Sequence, residues 1–513
     1  MARRPADACD YLVIGAGSAG CVVSTRLSEN PDVRVLLLEA GGSDAHAAVE
    51  DPTRWPTLFY GALDWGYSTT AQHHAAGRVV HCPRGKMIGG CHSHNANAWV
   101  RGHPTDFDNW AYQGNPGWDF ASVLPLFKKI EDYAGGPSEY RAVGGPLHVQ
   151  LPDDPNPIAS AFIAGAGEMG LPIVEDNNGP SMLGASFFNV TIKNGKRNSV
   201  ARAYLEAARQ RSNLTVHTNA EVHCLRFEGT RCVGVEYRRD GAPASARAAR
   251  EVIVCAGAIG SPRLLQLSGI GPADELRALD VHVTVNLPGV GKNLHDHPLV
   301  GAINYETKGT LPPPRNNGAE STLWWKSDQR MICPDIQPVI IEFPFATPEL
   351  AGRLPSPNCY AIAPSLVRPA ARGSVTITSP DPTIPPAIDM NYLGRDADVQ
   401  ALLFAIDLCR EIGATGAFAE FRKREVMPGP LGRAEMADFL RQSVTTYFHP
   451  AGSCKMGIDE TCVVDPELRV YGTQGLRVAD ASIMPTVTTG NTNAPSVMIG
   501  EKAAAMISGN GAA

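Results

Sequence analysis

The hydrophobic period changes twice within the first forty residues. Asp10 to Ile14 is a short apolar run that fits a buried strand. Gly15-Ala16-Gly17-Ser18-Ala19-Gly20 breaks it, and Cys21 to Leu27 then carries apolar residues at helical spacing until Asn30-Pro31 ends the pattern. Val33 to Leu38 is a second buried-type strand, closed by Glu39 and Gly41-Gly42. The order strand, glycine turn, helix, strand predicts a βαβ unit whose parallel strands are joined by a right-handed crossover.

The same switch recurs at Glu251 to Pro262. There Ser261 is the expected N-cap, Pro262 suits the first helical turn, and Gly269 is the expected stop. β-rich stretches at Thr215 to His217, Val233 to Tyr237 and Val375 to Thr378 add further sheet. The expected fold class is therefore α/β, a nucleotide-binding lobe alternating with a second, α+β lobe. Residues near 155 to 195 and 300 to 440 lack any nucleotide signal and are the expected substrate lobe.

Composition narrows the classes. Of 513 residues, 43% are hydrophobic and 19% charged, with 51 Gly and 41 Pro scattered through the chain, an ordinary globular balance rich in turns. The net charge of −7 and the lack of a basic stripe argue against nucleic acid as a partner. The basic start, Arg3-Arg4, reads as a solvated tail, and no apolar stretch approaches the ~20 residues of a membrane helix. A cytoplasmic protein is expected, with its oligomeric state left open. The 12 Cys fall singly, without Cys-x-x-Cys pairs, which removes zinc ribbons and disulfide scaffolds from consideration.

Gly15, Gly17 and Gly20 form Gly-x-Gly-x-x-Gly, which allows a tight turn, close approach to a pyrophosphate and close helix packing. Glu39 stands 19 residues past Gly20, where a carboxylate can accept hydrogen bonds from both hydroxyls of a ribose. The fingerprint serves NAD or FAD equally.

Further segments follow in order. They are Arg84-Gly85-Lys86-Met87-Ile88-Gly89-Gly90 with Asn95 and Arg101-Gly102; the stretch from Gly257 to Gly271; Pro288-Gly289-Val290-Gly291-Lys292-Asn293-Leu294-His295-Asp296-His297; His449-Pro450-Ala451-Gly452-Ser453-Cys454; Val478-Ala479-Asp480-Ala481-Ser482; and Gly490-Asn491-Thr492-Asn493-Ala494-Pro495. With these the chain resembles the glucose-methanol-choline (GMC) family of FAD-dependent alcohol oxidoreductases over nearly its whole length.

The resemblance implies a Rossmann-like FAD lobe assembled from residues 1–155, 196–300 and 440–513, and a sheet-bearing substrate lobe from 156–195 and 301–439. It assigns Gly15, Gly17, Ser18, Ala19, Gly20, Glu39 and Ala40 to the dinucleotide turn and ribose. Arg84, Met87, Gly89, Gly90, Asn95 and Ala96 would surround the flavin. Val222 would meet the adenine, Asp480 and Ala481 the ribityl and pyrophosphate, and Asn491 and Pro495 the C-terminal cofactor segment.

Oxidising an alcohol needs a base for the hydroxyl proton as hydride leaves the carbon. Histidine suits this near neutrality, and such a base contributes roughly 10² to 10⁴ in rate. By the resemblance His449 is that base, and Asn493 is its partner holding the substrate oxygen, with Asn491 the rival amide. The expected reaction turns a small or aromatic primary alcohol into an aldehyde, with reduced flavin reoxidised by oxygen or another acceptor. A hydroxynitrile lyase that keeps FAD structurally and a nicotinamide-dependent dehydrogenase are the competing readings.

Cys91-His92-Ser93-His94-Asn95 admits a metal site, completed by Cys91, His73, His74 or Cys82, though no recognised ligand spacing supports one. In choline-oxidase-like members of the family the histidine at the position of His94 is bonded to the flavin, so the resemblance implies FAD tethered at His94. His92 departs from the family pattern and is either an alternative attachment point or a polar neighbour. Trp324, Trp325, Phe343 and Phe345, with Glu342 among them and Tyr447 and Phe448 beside the base, invite comparison with a cage for a cationic alcohol. Core packing explains scattered aromatics equally well, so no cationic substrate is assigned.

Overall fold

The computed structural model describes residues 8–301 and 303–509. The basic N-terminal residues read as a solvated tail lie outside that range.

The first βαβ unit forms as its period predicts. Strand β1 (Ala8–Ile14) leads through the glycine turn into helix α1 (Ser18–Leu27) and returns as β2 (Val35–Leu38). β1 runs parallel to β2, with Leu12 opposite Leu36, and all four residues of β2 are buried. Strands β3 (Leu214–His217), β4 (Ala220–Glu228), β5 (Arg231–Arg239), β6 (Ala242–Val254) and β7 (Leu476–Val478) complete the sheet. Its order is β3-β2-β1-β6-β5-β4, and β7 also pairs with β6. The C-terminal part of β6 runs parallel to β1 and β7, while its first half joins β5 and β4 in an antiparallel meander. Thus β6 carries the chain from solvent into the middle of the parallel core.

Two close approaches make glycine obligatory at the turn. Gly15 leaves β1 at φ +95°, a conformation L side chains avoid, and a Cβ on Gly20 would sit 1.9 Å from the Gly15 carbonyl oxygen. α1 is covered by a C-terminal helix, α3 (Asn493–Ile507), in which a Cβ on Gly500 would come 2.9 Å from the Ala19 carbonyl oxygen.

The second expected turn folds with a different cap. Helix α2 (Gly257–Leu267) begins four residues before Ser261, with Ala256 at the N-cap. Its first N–H, on Gly257, is taken by the Asp480 carboxylate at 2.8 Å. Ser261 therefore lies inside the helix, where its hydroxyl donates to Asp480 Oδ2 at 2.5 Å. Pro262 is also internal, and Ser453 Oγ donates to the Ala258 carbonyl at 2.6 Å, supplying the donor that a proline cannot. Gly269, at φ +80°, closes the helix as expected.

A second sheet is antiparallel throughout. Its strands follow the order 422–427, 303–307, 359–363, 339–341, 321–324 and 184–187. The mixed α/β architecture with two sheets agrees with the fold class read from the sequence. Val375 to Thr378 contributes instead to a separate two-stranded pair, 374–376 with 387–389.

A buried ion network fastens the segment leading out of the cofactor-facing region. Glu131 is fully buried, and its Oε1 accepts from Trp99 Nε1 at 2.8 Å and Arg101 Nη2 at 2.7 Å. Its Oε2 accepts from Arg141 Nε at 2.9 Å. Glu131→Ala strands the buried Arg101 guanidinium and leaves Arg141 with Asp176 as its ion-pair partner, so a loss of about 3–5 kcal/mol is expected, read as a lower melting temperature with the same secondary structure.

Candidate active site

A buried carboxylate shapes the loop that carries His449. Residues 444–446 pair with 298–300, which brings His449 beside His297. Asp296 Oδ1 accepts the His449 N–H at 2.7 Å, and Oδ2 accepts the hydroxyls of Thr446 at 2.5 Å and Tyr392 at 2.6 Å. Phe448 between them sits at φ +68°, a strained value for a bulky residue. Its N–H donates to Thr446 Oγ1 at 2.7 Å and its carbonyl accepts from Arg84 Nη2 at 2.7 Å. The strain is thus held from both sides.

The imidazole has one geometry open to it. Asn491 Nδ2 lies 3.2 Å from His449 Nε2, and an amide nitrogen can only donate, so Nε2 carries the lone pair. The ring proton is then on Nδ1, 3.0 Å from His297 Nδ1, which accepts it. Burial, with His297 and Arg84 nearby, holds the His449 pKa well below the ordinary 6.5. Burial also lowers His297 to about 3. Both rings are neutral near neutrality, and His449 presents a bare acceptor.

The amide in contact with the His449 imidazole is Asn491, the rival of the expected Asn493. Asn493, the residue the resemblance singled out, opens α3 instead and accepts from Ser18 Oγ at 2.7 Å. Two residues of turn exchange the roles because the helix start turns the second amide toward the glycine loop.

A cavity of about 280 Å³ runs from the glycine turn to His449. Gly15, Gly17, Ser18, Ala19, Glu39 and Ala40 line one end, with Val222, Asp480 and Ala481. Arg84, Gly90, His94, Asn95 and Ala96 line it further along, together with Asn491 and Asn493. A dinucleotide fits this lining. α1 starts at Gly17 without a side-chain cap, and a Cβ on Gly17 would meet nothing within 4 Å, which leaves its N–H groups open to a phosphate. Glu39 is buried and accepts from the N–H groups of Ala16 at 2.8 Å and Gly41 at 2.7 Å, and burial raises its pKa to about 7. Four buried polar atoms on lining residues lack any partner within the protein: His94 Nε2, Arg263 Nε, Asn491 Oδ1 and Asn493 Nδ2.

Four residues expected against the cofactor support the walls without forming them. Gly20 packs on Gly15, and Gly89 donates its N–H to the Ala16 carbonyl at 2.7 Å. Met87 packs with Ala48, Val49 and Leu58. Pro495 is buried in the first turn of α3, where Ser496 reaches the cavity in its place. Gly257, Trp65, Tyr67 and Arg263 line the cavity without having been singled out. Gly257 and Arg263 lie in the second strand-to-helix segment, whereas Trp65 and Tyr67 lie in a stretch whose pattern carries no cofactor signal.

His92 and His94 separate cleanly. His92 Nε2 lies 3.1 Å from Thr191 Oγ1 and its Nδ1 accepts the Val200 N–H at 3.2 Å, so both nitrogens are engaged away from the cavity. His94 stacks on Phe59 at 5.2 Å and is hydrogen-bonded to the Leu58 main chain, and burial lowers its pKa to about 4. Among the described residues no group of three or more His, Cys, Asp or Glu is placed to hold a metal ion.

The far end of the cavity is apolar. Phe188, Leu299, Val339, Ile341, Phe345 and Tyr447 line it, with Asn317. The acids that line the cavity are Glu39, Glu221 and Asp480, all in the lobe of the parallel sheet. Glu342 does not reach it: its Oε2 accepts from Asn156 Nδ2 at 3.0 Å and the Arg315 N–H at 2.9 Å. Burial beside Glu320 lifts Glu342 to about 9, which keeps it neutral. Trp324 packs edge-on against Phe188 and Phe343 against Trp55, while Trp325 packs on the core, so of the four expected aromatics only Phe345 lines the cavity.

Fold and site define a dinucleotide-binding oxidoreductase built on two sheets. Models of the GMC oxidoreductase family match residues 9–299 and 369–500. The chain is 39% identical to the mitochondrial choline dehydrogenase of Homo sapiens, covering 98% of this chain and 90% of that protein. It is equally 39% identical to an oxygen-dependent choline dehydrogenase of Chromohalobacter salexigens, over 98% and 95%. Among solved structures, pyridoxine 4-oxidase from Mesorbium loti superposes with a TM-score of 0.93 at 37% identity, over 97% and 98% of the two chains. Formate oxidase of Aspergillus oryzae, solved in a variant used to follow FAD modification, gives 0.89 at 26%, over 98% of each. The chain belongs to the GMC oxidoreductase family and is an FAD-dependent alcohol oxidoreductase. No helix among the described residues is long and apolar enough to cross a membrane.

The depressed pKa of His449 sets a pH expectation. A base is lost when it is protonated, so lowering its pKa moves the acid limb of kcat/KM below the ordinary 6.5. The profile should stay flat from about pH 8 down through 6.5 and fall only below that; an acid limb centred above about 7 contradicts the neutral-pair geometry.

Proposed function

We propose that the protein oxidises a neutral primary alcohol, small or aromatic, to its aldehyde, with His449 as the base and Asn491 as the donor that holds the substrate oxygen. The observation that carries this reading is the bare His449 Nε2 with Asn491 Nδ2 beside it at the apolar end of the cavity. The substrate hydroxyl donates to Nε2, and the second N–H of Asn491 donates to the alcohol oxygen as negative charge develops there. His297 accepts the Nδ1 proton and so keeps the tautomer fixed while Nε2 takes up the substrate proton. FAD supplies the two-electron acceptor when bound, with Gly17, Glu39 and Asp480 holding its nucleotide part.

Charge selects the alcohol. A quaternary ammonium carried into the apolar end meets no carboxylate there, and Glu342 is turned away and neutral. On this reading a cationic alcohol such as choline is not the substrate. His94 is the proposed flavin tether, since its Nδ1 bonds to the main chain and its buried Nε2 is left free, whereas both nitrogens of His92 are engaged. The parallel-sheet segments, 1–155, 196–300 and 440–513, are taken as the cofactor lobe, and 156–195 with 301–439 as the substrate lobe.

Anaerobic mixing tests the reading. Benzyl alcohol should bleach the flavin absorbance of the holoenzyme, choline should leave it unchanged over the same interval, and hydrogen peroxide in aerated samples reports whether oxygen reoxidises it. Turnover with an unbleached spectrum would instead establish a lyase. His449→Ala should slow flavin reduction about 10²- to 10⁴-fold with FAD still bound.

The two amides are told apart by where their loss appears. Asn491→Ala should slow flavin reduction by about 10²- to 10³-fold. Asn493→Ala should chiefly weaken FAD retention, and the opposite pattern would restore Asn493 as the partner of the base.

A further inference from the structure

Arg197 is a buried cation on which Asp44 and Asp51 act only without direct contact. It is 1% exposed, and among the described residues no carboxylate forms an ion pair with it. Nε donates to the Val49 carbonyl at 2.8 Å. Nη1 reaches the carbonyls of His92 at 3.1 Å and Asn95 at 2.6 Å, and the side-chain oxygens of Asn95 at 3.1 Å and Asn97 at 3.0 Å. Nη2 has no partner. Burial lowers its pKa to about 9, so it stays charged. A guanidinium desolvated in this way is expensive to keep, and an apolar residue would fill the volume without that penalty.

What the guanidinium holds gives the reason. Its bonds grip the main chain two residues before His94 and one residue after it, which leaves the backbone of His94 little freedom. The bond to Val49 pins the short helix 47–50. The chain running on from there supplies Leu58, whose main chain bonds to His94, and Phe59, whose ring stacks on it. One side chain therefore sets the position of the imidazole and of both groups that orient it.

We propose that Arg197 is the positioning residue of the flavin anchor, clamping the 92–97 strip so that His94 Nε2 faces the flavin for bond formation. The proposal rests on the reading of His94 as the tether. In that reaction a bond forms between Nε2 and the flavin 8α carbon. One 8α hydrogen and the imidazole N–H proton are lost, and two electrons pass through the flavin to dioxygen, giving hydrogen peroxide. Arg197 takes part in none of these bonds. Lysine in its place keeps the charge but cannot hold the Val49 carbonyl and the 92–97 strip at once, as the guanidinium does through Nε and Nη1.

The test compares wild type, His94→Ala, Arg197→Lys and Arg197→Gln, measuring FAD bound per folded chain, melting temperature, and the share of flavin that stays on acid-precipitated protein. Wild type should retain its flavin and His94→Ala should release all of it. Arg197→Lys should bind FAD but show an acid-stable share reduced roughly tenfold or more, the scale expected when a reacting group is misplaced by about 1 Å. Arg197→Gln should behave likewise, or lose bound FAD and melting temperature together if the charge itself is needed for folding, and then Arg197→Lys decides. An acid-stable share per bound flavin equal to wild type in Arg197→Lys overturns the proposal and leaves a purely structural arginine. Complete flavin release from wild type overturns it too, but through the tether reading, a result visible before any Arg197 variant is made.

Discussion

Buried carboxylates that accept main-chain N–H groups hold this site together. Glu39 closes the glycine turn onto the end of β2, Asp480 starts α2 from a segment 223 residues away in sequence, and Asp296 sets the backbone of His449. Apart from the local Gly41 bond to Glu39, the donor is a backbone group that local structure leaves free and the acceptor arrives from elsewhere in the chain. These bonds draw distant segments of one lobe to a common cavity. Remove any one and a loop loses its only strong acceptor inside a region that water does not reach.

The same device explains what the sequence revealed and what it concealed. The first βαβ unit was legible because its determinants are local: short apolar runs, three glycines, a period of 3.6. Gly20 could be read from spacing alone because the carbonyl it must clear belongs to Gly15, whereas Gly15 must also clear the Cys255 carbonyl, which spacing does not reveal. Ser261 was misplaced because a hydroxyl before a helical pattern is the usual cap, whereas the cap here is supplied by Asp480. Pro262 fits inside the helix only because Ser453, 191 residues on, reaches the carbonyl that the proline leaves open. No local rule carries that information.

Side-chain direction was the other concealed quantity. Asn491 and Asn493 share one turn and one residue type, and only the start of α3 decides which amide meets the imidazole. His92 and His94 alternate in the same strip, yet one is consumed by Thr191 and Val200 while the other keeps a free nitrogen. Glu342 sits among aromatics in sequence but is captured by Asn156 and Arg315. Composition could suggest a cage; the hydrogen bonds around Glu342 dismantle it.

Burial then gives these choices their chemical meaning. His449, His297 and His94 are all held neutral by desolvation, and no carboxylate lies at the apolar end to reverse it. The substrate end of the cavity therefore starts without a negative charge of its own. In the proposed reaction the alcohol proton moves to Nε2, and the charge separated there is felt in a medium of low dielectric, where a single amide donor or a neighbouring imidazole counts for more than it would in water. A cationic substrate would add a second, uncompensated charge to that volume. On the proposed reading, neutrality of the resting site both keeps His449 available as the base and limits the alcohols that can approach it.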